Sequence, residues 1–401
     1  MWEKTVKLFR LLNSQSIYPG FWQHGEMAQF RALANRARFR GKPAVLRSLY
    51  SGILILYSPF RAFYLSLQHT SRVGQRIQRL AGISCFRQFC EQYYLVLIEQ
   101  IPPRSYYQFQ LYDPERWAQR SGYLHDGEAQ AIFRVLNGFA SNPVINDKHQ
   151  FALFCEKAGL PVPETIAVYP GNHFKHAVAF PPGDLFVKPL HGCRGEGAEY
   201  WTWNEDGTYC YKSFCCDADA LHDRLNESGS KRALLVQSVL SNHEDLARLS
   251  NGFLVTLRLV TARNLEGEIE LLFALCQIPV GLQSISHKGL SAPVSLQAGC
   301  LQAPFSWRPG DSVSELAASD QLIKGSQIPY WQATRDLVCR AHALLGGYFS
   351  LGWDVAITAD GPVLLEANEG WEVTMVQKVY GPAGSSVLKP LIDAHVEKLA
   401  L

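Results

Sequence analysis

The sequence predicts an α+β protein: a basic, mainly helical region followed by two groups of strands with helices between them. Three observations carry that expectation. Residues 1–80 interleave arginines with apolar side chains in a helical texture. From about residue 140, short β-branched runs bounded by Gly, Pro and Asp-Gly take over. Helical stretches at Lys148–Ala158 and Trp331–Leu345 interrupt those runs. The 401 residues suffice for about two or three domains. The boundaries expected are 1–139, 140–240 and 241–401.

Composition narrows the class. An apolar content of 47% with 18% charged residues describes a globular chain and excludes a disordered one. The net charge of +2 hides an asymmetry: residues 1–120 hold 17 Lys and Arg against 6 Asp and Glu, and the remainder 21 against 30. A basic first third beside an acidic remainder marks a separate partner surface. The ten cysteines form no C-x-x-C pair. With vicinal Cys215-Cys216 and no secretory signal, they predict reduced thiols in a cytoplasmic protein. The twelve histidines lack the H-E-x-x-H and Cys/His spacings of zinc sites.

In the first third, Ser48 to Phe60 is too short for a membrane span of about 20 residues. It reads as a core helix, the favoured expectation, or as an apolar face lying in an anionic membrane surface beside its arginines. No recognition motif accompanies the positive charge, so specific nucleic-acid binding is not expected. Glu91–Glu99 is a helix or a strand, Ile-Pro-Pro breaks it, and the tyrosines and phenylalanines that follow read as packing.

Asn146 or Asp147 caps the helix from Lys148, and Gly159 ends it. A strand at Glu164–Tyr169 is followed by Leu185-Phe-Val-Lys188-Pro189, which enters a loop carrying Gly192, Gly195 and Gly197. Spaced glycines let backbone amides approach phosphate oxygens, and the lysine upstream adds charge. The pattern matches neither the Walker A nor the dinucleotide fingerprint, and a tight hairpin turn is the plain alternative. Ala233–Leu240 and Phe253–Thr261 are further strands, the second with Arg258 at its centre. A strand arginine in apolar company needs an anion, either a carboxylate or a bound phosphate. Glu270–Cys276 continues the sheet, and His287-Lys288 lies in a loop that reads as ordinary or as part of an acceptor pocket.

Leu351 to Gly370 reads as a β-hairpin around an Asp-Gly turn, with Asp354, Glu366 and Asn368 breaking its apolar runs. Glu366 and Asn368 share a face because strand side chains alternate. A two-residue turn at Asp360-Gly361 would set Asp354 opposite Ala367. A three-residue loop, Ala359-Asp360-Gly361 with Gly361 left-handed, sets it opposite Glu366 and is favoured. Two carboxylates and a carboxamide would then converge without an obvious basic partner, a hard-oxygen set suited to Mg²⁺. A solvated hairpin face is the alternative.

Taken in order, Lys148, Lys188 with its glycine loop, Gln237, Arg258 and the Asp354…Glu366-Ala-Asn368 hairpin resemble the ATP-grasp superfamily over roughly residues 140–400. Thr256-Leu-Arg-Leu-Val-Thr, Gly352-Trp-Asp-Val-Ala-Ile and Leu-Leu-Glu-Ala-Asn look closest to its sugar-transfer-associated branch, related to α-L-glutamate ligases. The resemblance implies two α+β subdomains gripping ATP, preceded by the helical region. It implies that Lys148 and Lys188 hold phosphates under Gly192, Gly195 and Gly197. Gln237 and Val239 would bind adenine, and Asp245 or Glu244 would reach the ribose. Arg258, with Lys188, would stabilise the transferring phosphoryl group. Asp354, Glu366 and Asn368 would bind Mg²⁺, with Mn²⁺ as a substitute. Gln237 stands where many members carry glutamate, and Cys193 and Arg194 make the loop bulkier than a plain glycine run.

The implied activity is an ADP-forming, carboxylate-amine ligase, less often making C–O or C–S bonds, that works through an acyl-phosphate in polysaccharide or glycoconjugate synthesis. Its partners are ATP, a carboxylate and an amine or hydroxyl acceptor, and its setting is cytoplasmic or peripheral at the inner membrane face. Trp371 and Glu372 are candidate substrate contacts. A nucleotide-binding scaffold at a membrane-associated glycan assembly, and a kinase stopping at phosphoryl transfer, are the alternatives.

Overall fold

The structure, a computed structural model, describes residues 41, 43–138, 143–170, 173–174, 180–192, 196–250, 252–279, 289–306, 323–382 and 384–398. Gly195, His287, Lys288 and the arginines at 31–40 lie outside them.

The first third is helical. Helix α1 (Ala44–His69) continues through a π turn, Thr70–Gly74, into α2 (Gln75–Ala81), which Gly82 stops in the left-handed conformation at φ 70°. Ser84 caps α3 (Cys85–Tyr94), and Glu91–Glu99 is helical throughout, its end a π turn. The Ile-Pro-Pro break precedes α4 (Pro103–Gln108), and Asp113 caps α5 (Pro114–Ala118). The expected aromatic packing is here: Ile77, Leu95, Tyr106, Tyr107, Phe109 and Tyr123 form one cluster, with Phe109 stacked on Tyr123 at 4.2 Å. The expectation of a core helix at Ser48–Phe60 holds for one face of α1 only. Leu54 and Ser58 are buried, whereas Ile53, Leu56 and Phe60 are exposed. No described helix is long and apolar enough to cross a membrane.

Two antiparallel sheets follow. The first has the order β2-β1-β7-β3-β4-β5-β6. Its strands are β1 (Thr165–Tyr169), β2 (His173–Phe174), β3 (Leu185–Pro189), β4 (Glu199–Trp203), β5 (Tyr209–Tyr211), β6 (Phe214–Cys216) and β7 (Leu234–Ser238). Leu221 and Leu225 of a long helix, Ala218–Lys231, cover one face together with Ala167, Leu185, Val187 and Val236. Directly paired residues share a face, so Phe186, Lys188, Leu235 and Gln237 lie on the other. Cys210 and Cys215, opposite each other on β5 and β6, form a disulfide. The expectation of reduced thiols is corrected there: cross-strand pairing brings two cysteines together that sequence spacing does not reveal.

The second sheet has the order β11-β10-β9-β8-β12-β13, made of β8 (Thr256–Arg263), β9 (Ile269–Ile278), β10 (Leu290–Pro293), β11 (Phe305–Ser306), β12 (Ser350–Thr358) and β13 (Gly361–Asn368). On one face Leu257, Leu259, Trp353 and Val355 pack against the helices Lys148–Lys157 and Trp331–Leu345 through Phe151, Leu337 and Val338. On the other, Val260, Phe273 and Trp371 pack against Ala129, Ile132 and Phe133 of the helix Asp126–Leu136, so the helical region is fastened onto this sheet. Each buried Val, Leu, Ile or Phe side chain among these contributes about 1.5–3 kcal/mol. Trp371 is 2% exposed and donates from Nε1 to Ser350 Oγ at 3.0 Å, which makes it core and not a substrate contact.

Asp354 pairs with Glu366, as the sequence predicts, but by another device. The hairpin closes with Thr358 opposite Gly361, a two-residue turn of Ala359 and Asp360. Continued regularly, that register would set Asp354 opposite Leu365. A bulge between Asp354/Val355 and Leu364/Glu366 takes up Leu365 and restores the pair. Gly361 adopts φ 121°, outside the left-handed helical region expected for it.

Candidate active site

Three adjacent strands set a row of charges on one face of the second sheet. Arg258, Asp354 and Glu366 are direct partners across β8, β12 and β13. Arg258 Nη2 donates to Asp354 Oδ2 at 3.0 Å, and Nε lies 2.7 Å from Oδ1. That second contact is an ion pair without hydrogen-bond alignment, which leaves the buried Oδ1 unsatisfied. One residue pair further along, Asn368 donates to Glu366 Oε1 at 3.3 Å.

The first sheet and the helix start close the site with lysines. Asp147 caps the helix Lys148–Lys157 by accepting from His149 and Gln150 N–H, which holds Lys148 at its first turn. Lys148 Nζ donates to Gly192 O at 2.9 Å and lies 3.6 Å from Glu366 Oε2. Lys188, half-buried, faces the same group: burial pushes its ammonium down to about 8, with Glu366 opposing the shift. The set therefore has basic partners, contrary to the expectation from the hairpin alone. Those partners come from β8, from β3 and from a helix more than 200 residues upstream.

The two carboxylates titrate as a pair. Burial pushes Asp354 well up, Glu366 reinforcing that and Arg258 opposing it. Burial also raises Glu366, but Lys148, the hydrogen bond with Asp354, Arg258 and Lys188 outweigh it and hold Glu366 below the usual range. An unsatisfied buried carboxylate oxygen, a second carboxylate beside it and a carboxamide on the same face suit a hard divalent cation. The residues present fit Mg²⁺.

The glycine loop rests on an arginine that the sequence did not single out. Gly192 and Gly197 have φ of 127° and 78°, and a Cβ on Gly192 would meet Arg232 Nη2 at 2.6 Å. Arg232 also donates to His191 O at 3.1 Å. At the end of a helix just before β7, it looks in sequence like an ordinary dipole-matching cation. Gln237 shares the Lys188 face but is buried, its carboxamide donating to Pro163 O at 3.3 Å. Val239 lies half-buried just beyond β7. Asp245 pairs with His243 at 3.5 Å and Arg248 at 3.7 Å, and Glu372 lies 3.5 Å from Arg104.

A cavity of about 300 Å³ opens from the row toward the helix Asp126–Leu136. Lys148, Gly192, Glu366 and Asn368 line one side, and Gln130, Arg134, Asn137 and Glu369 the other. Burial raises the Glu369 carboxyl and Arg134 opposes it. Arg134 has no hydrogen bond or ion pair among the described residues; in sequence it is only a basic residue in a helix's last turn.

Residues 129–392 match the sugar-transfer associated ATP-grasp family. The chain belongs to that family, and its α+β architecture with a helical region in front is an ATP-grasp fold. It is similar in structure to the D-alanine-D-alanine ligase of Bacillus anthracis complexed with ATP, at 12% identity and a TM-score of 0.36, over 64% of this chain and 67% of that one. It is similar also to the biotin carboxylase of Campylobacter jejuni, at 11% identity and a TM-score of 0.37, over 63% of this chain and 46% of that one. The matched part thus spans about half of the carboxylase. No curated protein matches the chain in sequence.

Proposed function

We propose that the chain joins a carboxylate to an amine at the expense of ATP, through an acyl-phosphate. The observation that carries this reading is the row Arg258, Asp354, Glu366 and Asn368 facing Lys148 and Lys188 across a cleft. Lys148 and Lys188 bind the β- and γ-phosphates, and the loop from Gly192 through Gly195 to Gly197 covers them with backbone amides, held up by Arg232. The adenine lies at the end of β7 against the backbone of Val239. The Gln237 amide is engaged with Pro163, so its contribution there is to shape the strand end. Asp245 or Glu244 reaches the ribose. Asp354, Glu366 and Asn368 hold Mg²⁺ or Mn²⁺, which when bound neutralises phosphate charge.

The substrate carboxylate occupies the cavity beside Arg134. Its oxygen bonds to the γ-phosphorus as the bond from phosphorus to the β–γ bridging oxygen breaks, and ADP departs. Lys188 and Arg258 stabilise the charge spreading over the phosphoryl oxygens. The amine then attacks the acyl carbon, the carbon–oxygen bond to phosphate breaks, and the nitrogen loses a proton. A hydroxyl or thiol nucleophile would give an ester or thioester by the same steps. A place in polysaccharide or glycoconjugate synthesis, and a cytoplasmic setting, complete the reading. We divide the chain at 139 and 240; sheet one lies within 140–240 and sheet two within 241–401, which supports the boundary at 240, whereas the helix Asp126–Leu136 shares a core with sheet two.

Calorimetry of ATP with Mg²⁺ on wild type and on Glu366→Ala/Asn368→Ala tests the site. Binding that needs Mg²⁺ and is lost in the variant is expected; no binding by folded wild type would leave a scaffold. Hydroxylamine added with ATP and a panel of carboxylates should trap a hydroxamate. A kinase would release ADP without one.

A further inference from the structure

We propose that Glu369 selects the second substrate: its carboxylate receives the acceptor as a protonated amine, across the cavity from the carboxylate held by Arg134. This rests on the ligase reading above and deepens it, because the phosphate and metal residues do not distinguish an amine from a hydroxyl or a thiol. Glu369 and Arg134 both line the cavity of about 300 Å³, and neither has a hydrogen bond or ion pair among the described residues. They lie near enough for the guanidinium to act on the charge of the carboxyl, yet they do not pair. A cation and a carboxylate left unmatched in one cavity call for ligand groups of opposite sign. With Arg134 on the substrate carboxylate, Glu369 lacks a cationic donor. An ammonium brings three N–H donors and a positive charge, a hydroxyl one neutral donor and a thiol a weak one. Charge-assisted hydrogen bonds are roughly twice as strong as neutral ones, so Glu369 favours the amine.

Packing fixes the segments that carry the two charges. Phe133, the residue before Arg134, stacks on Trp371, two residues after Glu369, with ring centroids 5.3 Å apart. The helix Asp126–Leu136 is tied down at both ends. Thr374 Oγ1 donates to Asp126 Oδ2 at 2.9 Å, and Phe349 N–H donates to Asn137 Oδ1 at 2.8 Å. The turn after β13 rests against the same helix, since a Cβ on Gly370 would lie 3.7 Å from Gln130 Cγ. A ligand therefore meets a preformed wall on each side, which is what discrimination between similar groups requires. Glu366 and Asn368 line the cavity too, which puts a nitrogen held by Glu369 beside the place where the acyl-phosphate forms. The role assigned to Glu369 is binding; the chemical steps are those given above.

The test uses the full chain with ATP, Mg²⁺ and a carboxylate found by hydroxamate trapping. Ammonium chloride, methylamine and ethylamine are compared with methanol, ethanol and ethanethiol by ADP release. Wild type should turn over with an amine about tenfold or more faster than with its hydroxyl or thiol counterpart. Glu369→Gln should raise KM for the amine by about tenfold to a hundredfold, the loss of a charged hydrogen bond, with kcat at saturating amine within about threefold. The rise should fall on the amine and not on the carboxylate, and Glu369→Asp should recover part of it. Circular dichroism and ATP calorimetry check that both variants fold. An unchanged amine KM in Glu369→Gln overturns the proposal, as does hydroxamate trapping without ADP release from any amine. So does a raised Mg²⁺ requirement in place of a raised amine KM, which would make Glu369 a metal ligand. A rise in carboxylate KM equal to that of Arg134→Ala would make the two residues one ion pair, and overturns it too. Absence of hydroxamate with wild type is a different failure: it removes the ligase reading, and this inference with it.

Discussion

Arg258 and Asp354 are direct partners on adjacent strands, with Nε 2.7 Å from Oδ1, and their side chains are only 18% and 14% exposed. Removing one partner of such a pair leaves an uncompensated charge, whereas removing both does not. Arg258→Met should therefore cost about 3 kcal/mol in urea unfolding. Arg258→Met/Asp354→Leu should recover most of that loss, yet show no ADP release. A double variant that regains activity would exclude Arg258 from phosphoryl transfer.

Gly352, two residues before Asp354 and opposite Asn368, leaves room for Trp371: a Cβ there would lie 2.5 Å from the Trp371 Cβ. Gly352→Ala should destabilise by about 1–3 kcal/mol through overpacking. A shift in the urea midpoint with unchanged slope would register it, and an unshifted midpoint would contradict the packing argument.

Arg134 lines the cavity without an ion pair among the described residues. If it meets the substrate carboxylate, Arg134→Ala should raise KM for that carboxylate by about tenfold to a hundredfold, from the loss of a charged hydrogen bond. The affinity for ATP should stay within about twofold. A matching loss of ATP binding would move Arg134 from the substrate side to the nucleotide side.

His342 is buried, with Nδ1 2.7 Å from Thr261 Oγ1 and Nε2 3.1 Å from Tyr348 O. Burial pushes its pKa down to about 4 from 6.5, and Arg263 adds to that. Above pH 6.5 the imidazole is neutral in both folded and unfolded chains. As pH falls from 6.5 toward 4, only the unfolded chain takes up the proton, and stability declines by up to about 3 kcal/mol. His342→Gln should be less stable than wild type at pH 7.5, and the gap should narrow at pH 4.5. A gap constant with pH would show that His342 does not titrate differently on folding.

Much of this molecule was legible before any tertiary contact was known. Local signals sufficed for a cap at Asn146 or Asp147, of which the structure selects Asp147, for the helix Trp331–Leu345 and for the strands around Lys188 and Arg258, because caps and apolar periodicity act over a few residues. The order of those elements also determined the fold class and the family. Tertiary structure decided what depends on distant segments meeting. It alone showed that Leu365 is bulged out so that Glu366 faces Asp354, since a bulge leaves no mark in composition. It placed Arg258 and Lys148 on those carboxylates, joined Cys210 to Cys215, and put Arg232 beneath the glycine loop and Arg134 in the cavity. It also turned one face of α1 outward, which the sequence could not decide, because a helix's apolar stripe is the same whether a core or a membrane covers it. Covalent order and local energetics determined the parts of this protein, and long-range packing determined which charges share a low-dielectric site and so what chemistry they can perform.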